Sequence, residues 1–206
     1  MEVTFYFDPS CPFCWVTSRW LLMVSNKREL KINWKPFSLA IKNNELDGNK
    51  SGYNHMPAHR VVRVLLAASE LGADLGELYK AFGIQHFLAG EEYSDEVIAQ
   101  VLDAQKLDAG LAKSADDISL DAELKSYIDE AVATVGQDIG VPTIVFNNQE
   151  GKATGFFGPV IQTLPDQEES LKLWDAFITL AEKPYFFELK RGRETGGPDV
   201  VSTAKC

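Results

Sequence analysis

The chain has 206 residues, 45% hydrophobic and 24% charged, a globular composition that can bury one sizeable core. Its formal charge of -10 and pI near 4.8 disfavour a nucleic-acid backbone or an anionic membrane surface as partner, because both would repel it. No apolar run approaches the roughly 18 residues of a membrane span, no basic leader precedes the first strand pattern, and three cysteines are too few for a secreted disulfide framework, so the expected compartment is the cytoplasm.

Glu2 to Phe7 is a short β-rich run, Pro12 to about Lys27 is helical, and Leu30 to Phe37 alternates apolar and polar residues like a second strand. Together they predict a βαβ unit. NNELDGNKSGYNHMP, from Asn43 to Pro57, reads as a polar loop that could act as a lid. From Ala58 to about Gly136 the apolar spacing is helical in HRVVRVLLAASELG, DLGELYKAFG, SDEVIAQVLDAQ and DAELKSYIDEAVATVG. β character returns in Val141 to Phe146, followed by an Asn147-Asn148 turn signal, a hairpin partner from Lys152 to Phe157 and a helix from Leu171 to Glu182. The expected division is a discontinuous domain of residues 1–42 and 140–190, a helical insertion at 55–137, and a tail at 191–206 that is mobile or draped over the surface.

The chemistry sits in Cys11-Pro12-Phe13-Cys14, where a strand gives way to a helix. Unpaired N–H groups and the helix dipole favour negative charge at a helix start, so Cys11 is the expected nucleophile. Pro12 suits the first turn because it has no N–H to leave unsatisfied. Cys14, three positions on, lies on the same face and can attack a mixed disulfide formed on Cys11. A zinc-stabilised interaction module is the alternative from another class, since His55 and His59 complete a formal Cys₂His₂ set. Pro57 between the histidines, and the long segment before them, count against it. Far along the chain, Val141-Pro142-Thr143 opens a strand in the pattern of a cis-proline loop, which would turn the Val141 main chain toward an extended substrate.

These motifs, in the order F-x-D-P-x-C-P-x-C, second strand, helical insertion, G-V-P-T and closing ββα, resemble the DsbA-like branch of the thioredoxin fold. The implied fold is α/β, thioredoxin-like with a large all-helical insertion. More narrowly, DPSCPFCWVTSRWLL, SDEVIAQ, GFFGPV, KLWDAF and YFFELKR are similar to the cytosolic actinobacterial mycothiol-dependent nitroreductases. That resemblance implies thiol-disulfide chemistry at Cys11 and Cys14 with Pro142 beside them, mycothiol as thiol co-substrate, and no bound cofactor or flavin. It also implies a mixed-disulfide or electrophilic small-molecule substrate, such as a nitroaromatic. Phe13 departs from the family, whose close relatives carry tryptophan there. A DsbA-like isomerase or thiol transferase without net redox change is the alternative within enzymes, and the presence of Cys14 counts against it.

The expected substrate-binding residues are Pro12, Phe13, Trp15, Asn43, Tyr53, Val141 and Thr143, with Trp15 also readable as core. Arg60 and Arg63 read as a solvated helix face, His86 as a surface or satisfied histidine, and Cys206 as an exposed tail thiol. No metal site is expected, and the sequence carries no signal for an oligomeric state.

Overall fold

The central strand, β1 (Glu2–Phe7), alternates exposed and buried residues at its start and is buried on both faces from Phe5 to Phe7, as a strand flanked on both sides should be. The computed structural model describes residues 1–49, 52–192 and 196–205. Its sheet has four strands in the order β2-β1-β3-β4, with β2 at Lys31–Pro36, β3 at Thr143–Asn147 and β4 at Ala153–Phe157. β3 runs antiparallel to β1, Val3 opposite Phe146 and Tyr6 opposite Thr143, and antiparallel to β4. Asn148 closes the β3–β4 hairpin by accepting from the N–H groups of Glu150 and Lys152 through its side chain. Gly155 is required by the close approach of β3, since a β-carbon there would lie 2.1 Å from the Ile144 carbonyl oxygen.

Chain contacts divide the protein into two compact units, one of Met1–Tyr6, Pro12–Asn33 and Ala131–Cys206, the other of Phe7–Cys11 and Trp34–Glu130. In the first, helix α1 (Pro12–Arg28) carries an almost wholly buried stretch from Cys14 to Leu21. It is tied to the last helix, Gln167–Ala181, by the Trp20 indole N–H donating to the Ser170 carbonyl and by a two-pronged Arg28–Asp175 pair. That last helix begins four residues before the expected Leu171, because Asp166 caps it by accepting from the Glu169 N–H. The described end of the tail forms a 3₁₀ turn, Val201–Lys205, with Thr203 buried. Cys206 lies outside the described residues.

The second unit holds the short α2 (Leu39–Lys42) and the predicted helices α3 (Met56–Glu70), α4 (Leu75–Gly83) and α5 (Asp95–Ala104), together with the first part of α6 (Asp121–Val135). Val62 and Leu66 of α3 pack with Leu124 of α6 as a fully buried cluster, each worth about 1.5–3 kcal/mol of burial. Polar contacts fix the same helices. Arg63 is not on a solvated face: its guanidinium takes both oxygens of Asp121, at 2.8 and 2.7 Å, and donates to the Ala115 carbonyl. Arg60 bridges Asp95 and Asp116. Helical spacing alone could not show these carboxylates, because they arrive from later elements.

Candidate active site

Asp8 organises the loop that leads from β1 to Cys11. Its carboxylate is fully buried and accepts from the N–H of Ser10 at 2.8 Å, the hydroxyl of Ser10 at 2.5 Å and the N–H of Leu39 at 2.7 Å. Burial pushes its carboxyl above the ordinary range, against the pull of these hydrogen bonds and of the nearby His55. The Asp8 carbonyl accepts the N–H of Cys11 at 3.0 Å, closing the turn that delivers Cys11 to the helix start. From the other side, the buried Tyr93 hydroxyl donates to the Pro9 carbonyl at 3.0 Å, and His86 stacks on the Tyr93 ring at 4.6 Å. Cys11 remains partly exposed, whereas Cys14, in the first turn of α1, is fully buried. Both are thiols, and Pro12 and Phe13 between them are partly exposed.

Trp15 belongs to the core. It is 1% exposed and its indole N–H donates to the Thr203 hydroxyl at 2.8 Å, so this member of the expected substrate set has neither a free face nor a free donor for a ligand. The Val141–Pro142 bond is cis, as is Gly158–Pro159, which carried no signal in the sequence. Val141 and Thr143 are both buried, and the Thr143 hydroxyl donates to the Gly140 carbonyl at 2.8 Å.

The described residues of the Asn43 to Pro57 segment form more than a simple polar loop. It contains a 3₁₀ turn, Glu45–Asp47, and the Glu45 carboxylate takes both the main-chain N–H of His55, at 2.9 Å, and the His55 ring. Asn43 caps the end of α2 and its carbonyl accepts from the Asn49 side chain at 2.7 Å. Glu45, Asn49, Tyr53, Asn54 and Met56 help line an open depression of about 400 Å³. Tyr53 is 55% exposed there with its ring against His55; its phenol is held above the ordinary value by partial burial, and then by the charges of Glu92, Asp8 and Cys11. Tyr53 and Cys11 are therefore near enough to interact electrostatically, while Asn43 contributes main-chain rather than side-chain contacts to the described loop.

His55 and His59 serve different partners. His59 is fully buried, with Nδ1 2.9 Å from the Ser38 hydroxyl and Nε2 3.1 Å from Asp121; burial and the Arg63 charge hold it below the ordinary imidazole range. Among the described residues no three His, Cys, Asp or Glu side chains converge as a metal site.

Asp8, Glu45, Tyr93 and Thr203 are the residues that sequence reasoning did not single out. Only Asp8 had a local signal, in the Asp-Pro-Ser turn pattern; the others act through partners remote in sequence or invisible to periodicity. Chemically, the arrangement offers an accessible thiol at a helix start, a second thiol shielded one turn further on, and, in the second unit, an aromatic and polar depression lined in part by Tyr53.

A family model described as Rv2466c-like, mycothiol-dependent nitroreductase Rv2466c, matches residues 10–191. The chain is 28% identical over 97% of its length to the uncharacterized protein Rv2286c of Mycobacterium tuberculosis, covering 86% of that protein. Among solved structures, it resembles the cytosolic disulfide reductase DsbM from Pseudomonas aeruginosa with GSH, at a TM-score of 0.57 and 14% identity, over 87% of this chain and all (100%) of that one. It also resembles Pseudomonas aeruginosa DsbA, at a TM-score of 0.54 and 18% identity, over 86% of this chain and 82% of that one. The fold is the DsbA-like thioredoxin fold that the motif order suggested.

Proposed function

The chain belongs to the Rv2466c-like family of mycothiol-dependent nitroreductases, and on that premise we propose that it is a thiol-disulfide oxidoreductase that draws its electrons from mycothiol. The observation that carries this reading is the unequal presentation of the two thiols, Cys11 partly exposed at the start of α1 and Cys14 buried within its first turn. The Cys11 thiolate attacks one sulfur of a disulfide, forming a mixed disulfide and releasing the other half as a thiolate that takes up a proton. Cys14 then loses its proton and attacks Cys11, closing the Cys11–Cys14 disulfide and expelling the second half. Two mycothiol molecules reverse the oxidation, the first forming a mixed disulfide with Cys11 and the second leaving as mycothiol disulfide. With a nitro compound the same dithiol supplies two electrons and two protons, giving a nitroso product and water.

In the first unit Pro12 and Phe13 would present the substrate side, with the Val141 and Thr143 main chain flanking Pro142, and in the second unit Asn43 and Tyr53 would serve as substrate-binding residues. The smaller ring of Phe13 offers less stacking area to a nitroaromatic than a tryptophan would, which favours the disulfide over the nitro compound as substrate. A reducing compartment, the cytoplasm, suits a dithiol that must be restored by a low-molecular-weight thiol. Among the described residues no helix is long and apolar enough to cross a membrane. Turnover of a mixed disulfide and of a nitroaromatic, measured side by side with mycothiol, tests the proposal. Mycothiol-dependent reduction of at least the disulfide is expected; turnover of neither substrate would overturn it.

A further inference from the structure

Between Ala181 and Lys205 the described chain is exposed or half-exposed at every residue but one, Thr203. That residue accepts the Trp15 indole N–H at 2.8 Å and donates its own hydroxyl hydrogen to the Val200 carbonyl at 2.5 Å. The contact spans 188 positions of sequence and ends on the residue next to Cys14. The tail gains little apolar burial by lying there, so its placement rests heavily on this hydroxyl and on the polar contacts that prepare it.

Those contacts form a closed circuit around the first two turns of α1. The Thr17 hydroxyl donates to the Pro159 carbonyl at 2.8 Å; three residues on, the Gln162 carbonyl accepts the Asp199 N–H at 2.7 Å. Asp199 starts the 3₁₀ turn by accepting the Ser202 N–H at 3.0 Å, and that turn presents Thr203 to Trp15. The ring face of Trp15 is also held, with the Arg19 guanidinium 4.4 Å from its centroid and the Ser18 hydroxyl donating to its carbonyl at 2.6 Å. Trp15 therefore has its edge fixed by the tail and its face fixed by the next turn of its own helix.

We propose that Thr203 is a positioning residue for the second thiol: acting through Trp15, it holds the first turn of α1 so that Cys14 can attack a mixed disulfide on Cys11. The proposal rests on Cys14 being the resolving thiol. In that step the Cys14 thiolate forms a bond to the Cys11 sulfur, the Cys11–substrate S–S bond breaks, and the expelled thiolate takes a proton, with no further oxidant required. A tail that merely stabilised the fold would affect all steps alike. A tail that positions Cys14 affects the second step and spares the first.

The test uses the full chain with Thr203→Val, which removes the hydroxyl, Thr203→Ser, which restores it, and Trp15→Phe, which removes the donor from the other side. Reduced protein is mixed with bis(2-hydroxyethyl) disulfide, and the Cys11 mixed disulfide is followed by quenched intact-mass measurement. Its formation should be unchanged in all variants, while its lifetime should lengthen about tenfold in Thr203→Val and Trp15→Phe, return to near the parent value in Thr203→Ser, and not lengthen further in the double variant. A parent-like lifetime in a folded Thr203→Val or Trp15→Phe protein, or a Thr203→Ser protein as slow as the valine variant, would overturn the proposal. A Cys14→Ser protein that forms no mixed disulfide would instead overturn the assignment of the two thiols on which it rests.

Discussion

The loop that leads to Cys11 is organised by ionisable groups, with the Asp8 carboxylate buried beneath it, Tyr93 hydrogen-bonded to Pro9, and Tyr53 within electrostatic reach. The turn that carries Cys14 differs: Cys14, Trp15 and Val16 are all buried, and Thr203 arrives from the tail to accept the Trp15 indole N–H. Polar surroundings tolerate a sulfur that gains and loses charge; an enclosed apolar turn keeps a sulfur from solvent until a partner comes to it. The two cysteines share a motif of four residues, yet their environments suit attack for one and delayed release for the other.

The largest separation is expected from removing each thiol in turn. Cys11→Ser should lower mycothiol-dependent disulfide turnover by at least about a thousandfold, since no other described thiol is exposed at the helix start. Cys14→Ser should also stop multiple turnover in this reading, but it should accumulate a mixed disulfide on Cys11 that intact-mass measurement detects. If Cys14→Ser stays unmodified and Cys11→Ser becomes modified, the comparison is inverted. A smaller difference is expected in simple alkylation of the reduced protein. Cys11 should react at least about tenfold faster than the fully buried Cys14, as peptide mapping after a short iodoacetamide pulse would show. Equal labelling would mean that the turn around Cys14 opens as readily as the loop around Cys11.

How much of this contrast can be read from sequence depends on how local its causes are. β1, α1 and β3 follow from apolar alternation and from Pro12 and Pro142 at the element starts, and the starts of α4 and α5 follow from Asp74 and Ser94 as caps. The half of the site around Cys11 is partly local, because Asp8 and Ser10 lie inside the motif; the other hydrogen bonds come from afar, the Leu39 N–H to Asp8 from 31 residues away and the Tyr93 hydroxyl to Pro9 from 84. The Cys14 half depends on a single hydroxyl in a segment without periodicity, which no pattern distinguishes from the serines and threonines near it. Arg63 shows the same limit in the helical unit, where spacing suggested solvent and Asp121, 58 residues later, supplies a half-buried partner.

Tyr93→Phe probes the Cys11 side alone. It removes the donor to the Pro9 carbonyl while leaving the ring stacked with His86, so a loss of about 1 kcal/mol is expected in chemical denaturation. Cys11 should become easier to alkylate as its loop loosens, whereas Cys14 labelling should stay at the parent rate. A parallel increase at both cysteines would show that Tyr93 supports the whole fold rather than one half of the site.

The smallest effect is a slope, and it concerns the charge beneath Cys11. Burial raises the Asp8 carboxyl above its ordinary value of 3.8, so over the interval between the unfolded and folded values the native protein keeps a proton that the unfolded chain has released. The native state then binds more protons than the unfolded state, and this group's contribution to stability falls as pH rises through that interval and levels off above the folded value. Below the unfolded value both states are protonated and the contribution is fully retained. Asp8→Asn has no proton to lose. Its amide also replaces the acceptor that faces the Leu39 N–H, which lowers Tm by an amount that does not vary with pH. The Tm of the variant minus the Tm of the parent should therefore become more positive as pH is raised from about 4 toward neutrality, whatever its starting offset. A difference that becomes more negative over that range would mean that the hydrogen bonds from Ser10 and Leu39 outweigh burial, and that Asp8 enters the folded loop as a stabilised carboxylate.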